Sequence, residues 1–450
     1  METLNFCPFE IFEENKTKYI YVNNTNGLFE IDNVTLELLK QNGKSVDEAY
    51  ENMKDMISYD DFNKTVENMR KYKFIVTEDS KKESEEYMFN RSVSAITLFV
   101  IQDCNLRCTY CYGDGGQYCD HGKMSIETAK KAVDFLVEQS ETNNLDIAFF
   151  GGEPLLNMPL IKYVIKYTKQ IEEKSNKRFS FCMTTNGTLL TPEIEKYLID
   201  NKVSIQISFD GDKKVQDKNR FFANGKGSYD LVVEKTKNLR DKKQISCRGT
   251  ITSVSLNLKE SFEHLYELGF RSIMLSPADN LLTDEDYVIL TNEFIKLIHV
   301  FEKLIDEGNY ETAMKMKMVV NDLYRIHKGG ERHLVCGVGR NIYAVDIHGN
   351  LYPCQRFVNN KEFCIGNIET GAIGRQNFLE SIKLEKHYQC NMCWLKNICL
   401  GNCPNENYLA TGKVNETSER VCQYRKTIFR ELILVYLRFS EEAKKQIFDN

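Results

Sequence analysis

Phe99–Gly116 reads FVIQDCNLRCTYCYGDGG, an apolar run that ends in a loop carrying Cys104, Cys108 and Cys111 at a Cys-x3-Cys-x2-Cys spacing. Three thiolates on one short loop are one ligand short of a four-iron cluster. An iron without a protein ligand can bind and reduce a small molecule, whereas a fully ligated cluster mainly stores or passes electrons. A second set follows downstream: Cys336-x12-Gly349-x4-Cys354, then Cys390-x2-Cys393-x5-Cys399-x3-Cys403, then Cys422. Ten of the fifteen cysteines thus fall into two patterns that iron–sulfur ligation explains together. Zinc is the competing reading of the first trio, but catalytic zinc sites usually draw on His, and no His lies inside this loop.

Outward from that loop, strand-like runs alternate with helical ones between about 94 and 305. AITLFVI precedes SIETAKKAVDFLVEQ, LDIAFF precedes MPLIKYVIKYTKQI, RFSFCMT precedes PEIEKYLID, VSIQISF precedes SYDLVVEKTKNL, and QISCRGTIT precedes LKESFEHLYELG; RSIMLS then precedes a long helix near 284–305. These six βα units predict an α/β fold with a parallel sheet. In such folds ligands bind at the carboxyl ends of strands. The segments worth attention stand there: Gly151, Gly152, Glu153 and Pro154 in LDIAFFGGEPLLN, Asn186 and Gly187 in MTTNGT, and Ser208 in VSIQISFDG, with Arg220 twelve residues on in VQDKNR. Read alone, Ser208 is a turn serine, Arg220 a solvated surface arginine and MTTNGT a simple turn.

Together, the loop C-x3-C-x-aromatic-C with Tyr110 as the aromatic, and the Gly-Gly-Glu-Pro segment that follows, resemble the radical S-adenosylmethionine (SAM) enzymes. The resemblance implies a partial (β/α)6 TIM-like barrel, with Cys104, Cys108 and Cys111 holding a SAM-binding [4Fe-4S] cluster. It also implies cofactor-binding roles for Tyr110, Gly151, Gly152, Glu153, Ser208 and Arg220. Glycines let backbone approach a ligand, a carboxylate can hold the methionine ammonium, and the planar fork of Arg suits a carboxylate.

At 450 residues, two or three domains are expected. The 42% hydrophobic and 28% charged composition fits a globular protein, and the net charge of -6 gives no general attraction to nucleic acid or anionic membrane. No eighteen-residue apolar span and no signal-peptide pattern occur, so a cytoplasmic location is expected, where cysteines are free thiols or metal ligands. Cys7, Cys119, Cys182, Cys247 and Cys364 remain outside the two patterns; Cys182 and Cys247 read as small buried residues of strands.

Residues 1–80 read as a separate module: strand-like KYIYVNN and NGLFEID, a helix beginning at VTLELLK, a Ser45/Glu48 capping signal, a helix with Phe62, Val66 and Met69 on one face, and a closing strand KFIV. This resembles a winged helix, and peptide-modifying radical SAM enzymes carry such a module as a recognition element. It holds the leader of a ribosomally made, post-translationally modified peptide (RiPP) as an added strand. A DNA-binding winged helix is disfavoured by the small basic excess of KTVENMRKYK. The charged stretch Thr77–Tyr87 marks a linker, taken as residues 81–93, followed by the radical SAM core at 94–305 and a bridging region at 306–332.

Residues 333–450 resemble the SPASM domain, a cysteine-rich extension with auxiliary clusters. The resemblance implies that Cys390, Cys393, Cys399 and Cys422 ligate auxiliary cluster II, and that Cys336, Cys354 and Cys403 ligate auxiliary cluster I, for three [4Fe-4S] clusters in all. HKGGERHLVC offers no fourth cysteine upstream of Cys336, so cluster I is expected to keep an open iron unless Cys364 reaches it. Relatives that mature sulfatases place an Asp base directly after the residue matching Cys354; here Gln355 stands there, and an amide cannot act as that base.

The CYGDGGQY stretch, Cys111–Tyr118, resembles maturases of cysteine-rich peptides. The reaction implied is hydrogen abstraction from a peptide carbon, followed by thioether formation with a substrate cysteine held at the open iron. Implied partners are a precursor peptide with its leader, and a reductant such as flavodoxin or ferredoxin; no nucleic acid or membrane partner is expected. Carbon–carbon cross-linking and sulfatase-maturase-like oxidation are the alternative reactions. An iron–sulfur electron-transfer protein is the non-enzymatic alternative, which has no need of a SAM site.

Overall fold

The computed structural model describes residues 3–449 except 76–91, 117, 119, 331, 333 and 359. The charged stretch Thr77–Tyr87 and Cys119 therefore lie outside the described residues. The described residues divide into two compact units, one within Met1–Met88, Val320–Val335 and Lys383–Asn450, the other within Phe89–Val319 and Cys336–Ile382.

The first unit opens with three antiparallel strands in the order β1 (Phe9–Glu14), β2 (Thr17–Val22) and β3 (Gly27–Ile31). β2 and β3 fall where the sequence places strands. β1 escapes sequence reading because Glu10, Glu13 and Glu14 break its apolar pattern, yet it pairs with β2 along its whole length. Helices Asn33–Leu39, Val46–Met53 and Tyr59–Lys71 follow, each with an N-cap side chain, Asp32, Ser45 or Ser58, accepting from a backbone N–H. Phe62, Val66 and Met69 are buried as their spacing predicts, against Leu4, Ile20 and Leu38. KFIV contributes only a single bridge, Ile75 to Phe6, before the described residues stop.

This sheet is also joined to the cysteine-rich segment of the same unit. Trp394 packs edge-on against Phe12 and Tyr21, with centroid distances of 6.0 and 5.6 Å. The β2–β3 turn hydrogen-bonds the same segment: Asn23 Nδ2 donates to the Cys393 carbonyl at 3.4 Å, and Asn397 Nδ2 donates to the Asn23 carbonyl at 2.7 Å. Arg430 and Arg438, on the helix Glu419–Arg438, pair with Glu10 and Glu14 of β1.

The second unit is built on a sheet whose parallel strands are β4 (Ala95–Gln102), β7 (Asn144–Gly151), β8 (Arg178–Thr185), β9 (Ser204–Ser208), β11 (Ile245–Ile251) and β12 (Ile273–Pro277). They are neighbours in that order, as six successive βα units require. β5 (Leu106–Cys108) and β10 (Arg220–Phe222) form a small antiparallel ladder of their own, and β6 (Gly122–Lys123) pairs with β4. Beyond β4 the sheet continues through β13 (Ile342–Val345), β14 (Asn350–Tyr352) and β15 (Gly366–Asn367). The architecture is the partial (β/α)6 barrel. Among the described residues no helix is long and apolar enough to cross a membrane.

Alternation along the strands corrects one expectation. Cys247 is buried, but Cys182 is exposed, because it falls on the other face of β8 from buried Met183 and Thr185. The wedge formed by Trp394 supplies a test. Trp394→Ala should destabilise the chain by about 3–5 kcal/mol, the cost of truncating a buried aromatic, whereas Arg430→Ala, removing an exposed ion pair, should cost under about 1 kcal/mol. Denaturant melts of the two variants check the contrast.

Candidate active site

β4 ends at Gln102 and the chain turns into the cysteine loop. Directly beside it, the Gly-Gly-Glu-Pro turn leaves β7 against the backbone of that loop's first residues. The Gly152 N–H donates to the Ile101 carbonyl at 3.0 Å and the Glu153 N–H to the Asp103 carbonyl at 2.9 Å. A Cβ on Gly151 would stand 2.0 Å from the Ile101 oxygen, and one on Gly152 2.0 Å from the Asp103 oxygen. The glycines therefore admit the chain's own backbone, a closer cause than approach to a ligand. Gly116 closes over the same point: its Cβ would meet Cys104 Cβ at 2.5 Å and Gly152 Cα at 2.9 Å. Tyr118 fixes this fold-back by donating its hydroxyl to the Gly151 carbonyl at 3.3 Å.

Glu153 is wholly buried, and its carboxylate accepts from Thr185 Oγ1 at 2.7 Å, the Asn186 N–H at 2.7 Å and the Leu155 N–H at 3.1 Å. Burial raises its pKa, and the three donors oppose that rise. Asn186 reaches across with Nδ2 to Asn105 Oδ1 at 2.9 Å and towards Cys104 Sγ at 3.8 Å. The strand-end reading of MTTNGT thus has a structural basis, and Gly187 follows at φ +76°.

Ser208 closes β9, partly buried. Two residues on, Asp210, which sequence reading passed over, gathers the site. Tyr110 donates its hydroxyl to Asp210 Oδ2 at 2.6 Å, the Thr250 N–H donates to Oδ1 at 2.9 Å, and Arg220 donates from Nε and Nη2, each at 3.1 Å. Arg220 is buried, not a solvated surface residue, and its fork is engaged by Asp210. The only signal in the sequence was an Asp-Gly pair at a strand end, indistinguishable there from an ordinary turn.

The thiols themselves are partly buried. Burial, with Glu153 adding to it, pushes the Cys104 thiol up to about 12. Burial pushes Cys108 up to about 11, with Arg220 pulling the other way. Asn219 Nδ2, beside this loop, is buried without a hydrogen-bond partner, while its Oδ1 accepts from Thr109 and Thr252. Three soft donors on one loop and a donor group without a partner fit a thiolate-held cluster with a polar ligand beside it. Among the described residues no three His, Cys, Asp or Glu side chains could hold a single metal ion. Cluster thiolates bind separate irons and need no such convergence.

The second cysteine set is divided between the units. Cys390, Cys393, Cys399, Cys403 and Cys422 lie in the first unit, and Cys336 and Cys354 in the second, which also holds Cys364 from outside the set. Cys390 and Cys422 are each pushed up to about 12, by burial first and then by the neighbouring thiols of Cys399 and Cys393. In the second unit burial pushes the Tyr112 hydroxyl up to about 12, Arg356 pulls the other way, and the thiols of Cys354 and Cys111 add to the rise. Gln355 opens a short 3-10 turn, and the exposed Cys364 donates to the Gly366 carbonyl at 3.3 Å.

Residues 98–277 match the radical SAM superfamily. The chain is 25% identical over 343 residues to a cysteine-type anaerobic sulfatase-maturating enzyme of Clostridium novyi (strain NT), covering 70% of this chain and 88% of that one. It is 23% identical over 464 residues to the radical SAM cyclopropyl synthase TigE of Paramaledivibacter caminithermalis, covering 94% of this chain and 92% of that one. Its fold is similar to that of native anSMEcpe with bound AdoMet and Cp18Cys peptide, at TM-score 0.64 and 21% identity over 77% of this chain and all of that one. With the loop geometry above, residues 98–277 are a radical SAM domain, the catalytic domain of radical SAM enzymes. Enzymes of this kind use SAM and a [4Fe-4S] cluster.

The enclosed carboxylate generates a test. Glu153→Gln sets an amide NH2 against at least one of its three donors, and should lower stability by about 1–3 kcal/mol. A smaller loss in thermal or denaturant melts of the cluster-free chain would show that these bonds contribute little.

Proposed function

We propose that this chain is a maturase of a ribosomally made, cysteine-rich peptide, and that it forms thioether cross-links between cysteine sulfur and carbon. When bound, a [4Fe-4S] cluster and SAM would supply the radical chemistry that removes a hydrogen atom from the substrate. The chain's own part is to place that event at the strand ends. Cys104, Cys108 and Cys111 would hold the cluster, Tyr110 and Asp210 brace their loop, buried Glu153 fixes the neighbouring strand-end turn, and Asn219 Nδ2 remains as a donor without a partner beside the loop.

The observation that carries the reading is the presence, within one unit, of the SAM-type loop and a second thiol pair, Cys336 and Cys354, with Tyr112 near both Cys111 and Cys354. By the SPASM pattern, Cys336, Cys354 and Cys403 hold auxiliary cluster I. Cys390, Cys393, Cys399 and Cys422 hold auxiliary cluster II, for three [4Fe-4S] clusters in total. A three-cysteine set leaves cluster I a position for another ligand, and a substrate thiolate suits it. The structural relative's bound cysteine peptide and the sulfatase-maturating relative support a peptide or protein substrate. Gln355 separates this chain from the sulfatase reaction.

Leader recognition is assigned to the three-stranded sheet. β3 is an outer strand, with β2 on one side, and offers an edge for an added strand. A flavodoxin or ferredoxin supplies electrons, and the setting is the cytoplasm. The likeness to TigE along 94% of this chain favours, as second reading, bond formation between carbons.

Anaerobic incubation of the reconstituted chain with SAM, dithionite and the cysteine-rich peptide encoded beside its gene separates these readings. Thioether formation predicts loss of two hydrogens per cross-link and loss of alkylatable cysteines. The same mass loss with cysteines still free means carbon–carbon bonding or dehydrogenation. Intact, reducible clusters that yield no 5′-deoxyadenosine would leave an electron-transfer protein.

A further inference from the structure

Arg220 occupies an unusual position for a cation. The β5–β10 ladder sets it directly opposite Cys108 in register, and the Thr109 N–H donates to the Asn219 carbonyl at 3.0 Å, locking the two segments together. The Arg220 side chain is 9% exposed and that of Asp210 not at all. Nε and Nη2 serve Asp210, while Nη1 points to Cys108 Sγ at 3.9 Å, within range for a weak bond to sulfur. The guanidinium also lies over the Tyr110 ring, 5.0 Å from its centroid. The carbonyl of Arg220 accepts from Ser228 Oγ at 2.7 Å, and Ser228 Oγ in turn accepts from Gln216 Nε2 at 3.0 Å, so backbone and side chain are both fixed. With two of its three nitrogens on Asp210 and the third on a cysteine sulfur, Arg220 faces the cysteine loop.

We propose that Arg220 is a positioning residue that raises the reduction potential of the cluster held by the first cysteine trio, acting through the Cys108 sulfur, and that Asp210 is the counter-charge that limits the effect. The proposal rests on Cys104, Cys108 and Cys111 being cluster ligands. Hydrogen bonds to cluster sulfurs and local charge are established determinants of cluster potential. Reduction adds a negative charge, so a buried cation beside a ligand sulfur favours the reduced state and a buried carboxylate opposes it. The pair therefore sets a balance between two opposing charges.

The signs separate this role from a structural one. R220Q and D210N both break the same ion pair, so a purely structural contribution moves the cluster in the same direction in both. Charge control moves them in opposite directions. The measurement is an anaerobic potentiometric titration of the iron-loaded full-length chain, followed by electron paramagnetic resonance. The first cluster's signal is identified by its change on adding SAM and by its loss in a C104A/C108A/C111A variant. The midpoint should fall in R220Q, rise in D210N, and in R220K lie between wild type and R220Q.

Midpoints that shift together, or that stay at the wild-type value with the cluster loaded, overturn the proposal. Should R220Q fail to hold iron, D210N against wild type decides, and a midpoint at or below wild type overturns it. If no signal is lost in the triple-cysteine variant, the cluster assignment itself fails, and the proposal with it.

Discussion

Two carboxylates buried at the strand ends hold the site together. A carboxylate removed from water is costly unless its lone pairs are engaged, and the donors must come from somewhere. Glu153 draws them from the exit of β8 and from its own turn; Asp210 draws them from β11, from β10 and from the ring hydroxyl of the cysteine loop. Each acid thereby ties neighbouring strand ends to one another, and Asp210 ties them to the loop. The loop has little regular structure, so its shape is imposed by these anchors and by the glycines that bring Gly151 and Gly152 against Ile101 and Asp103.

In the first unit, an aromatic wedge does comparable work. Trp394 follows Cys393 directly, so whatever fixes its ring fixes the Cys390–Cys393 knuckle. Phe12 and Tyr21 hold the ring on the sheet side, and Arg430 lies 5.8 Å over it. The asparagines of the β2–β3 turn add the backbone half of the joint: Asn26 Nδ2 donates to the Gly330 carbonyl at 2.6 Å, and Tyr21 donates its hydroxyl to Asn26 Oδ1 at 2.5 Å. A sheet proposed to receive the leader peptide thus shares its core side chains with a segment proposed to hold a cluster, and order in one is order in the other.

The parallel sheet was legible because six strand-and-helix alternations leave little topological choice, and the cysteine spacings were legible because ligand chemistry restricts them. What could not be read were long-range partners. Asp210 looked like part of a turn, since nothing local shows that Arg220, Tyr110 and Thr250 converge on it. Arg220 looked solvated for the same reason: its burial is created by the β5–β10 ladder, a pairing of segments more than a hundred residues apart. β1 was missed because three glutamates mask its alternation, and Arg430 and Arg438, the partners of Glu10 and Glu14, lie more than four hundred residues away. The glycine pair was recognised from its motif, but its close contact with the chain's own backbone needed coordinates.

Both cysteine sets share one electrostatic difficulty. Cys104 and Cys108 of the first, and Cys390 and Cys422 of the second, are all pushed well above an ordinary thiol by burial, so without metal they hold their protons at neutral pH. Thiolate ligation therefore has to displace protons, and iron loading becomes coupled to the electrostatics of the folded chain. An arginine stands against a sulfur in each set: Arg220 at Cys108, and Arg425 at Cys399. Their acidic partners differ, since Asp210 takes the fork of Arg220 alone, whereas Asp322 is shared by Arg325 at 3.1 Å and Arg425 at 3.6 Å. A guanidinium suits this position because it cannot lose its charge, and because its several donors serve a carboxylate and a sulfur at once. Lysine offers one compact charge and no such division, which is why the shape of the cation matters here as much as its sign.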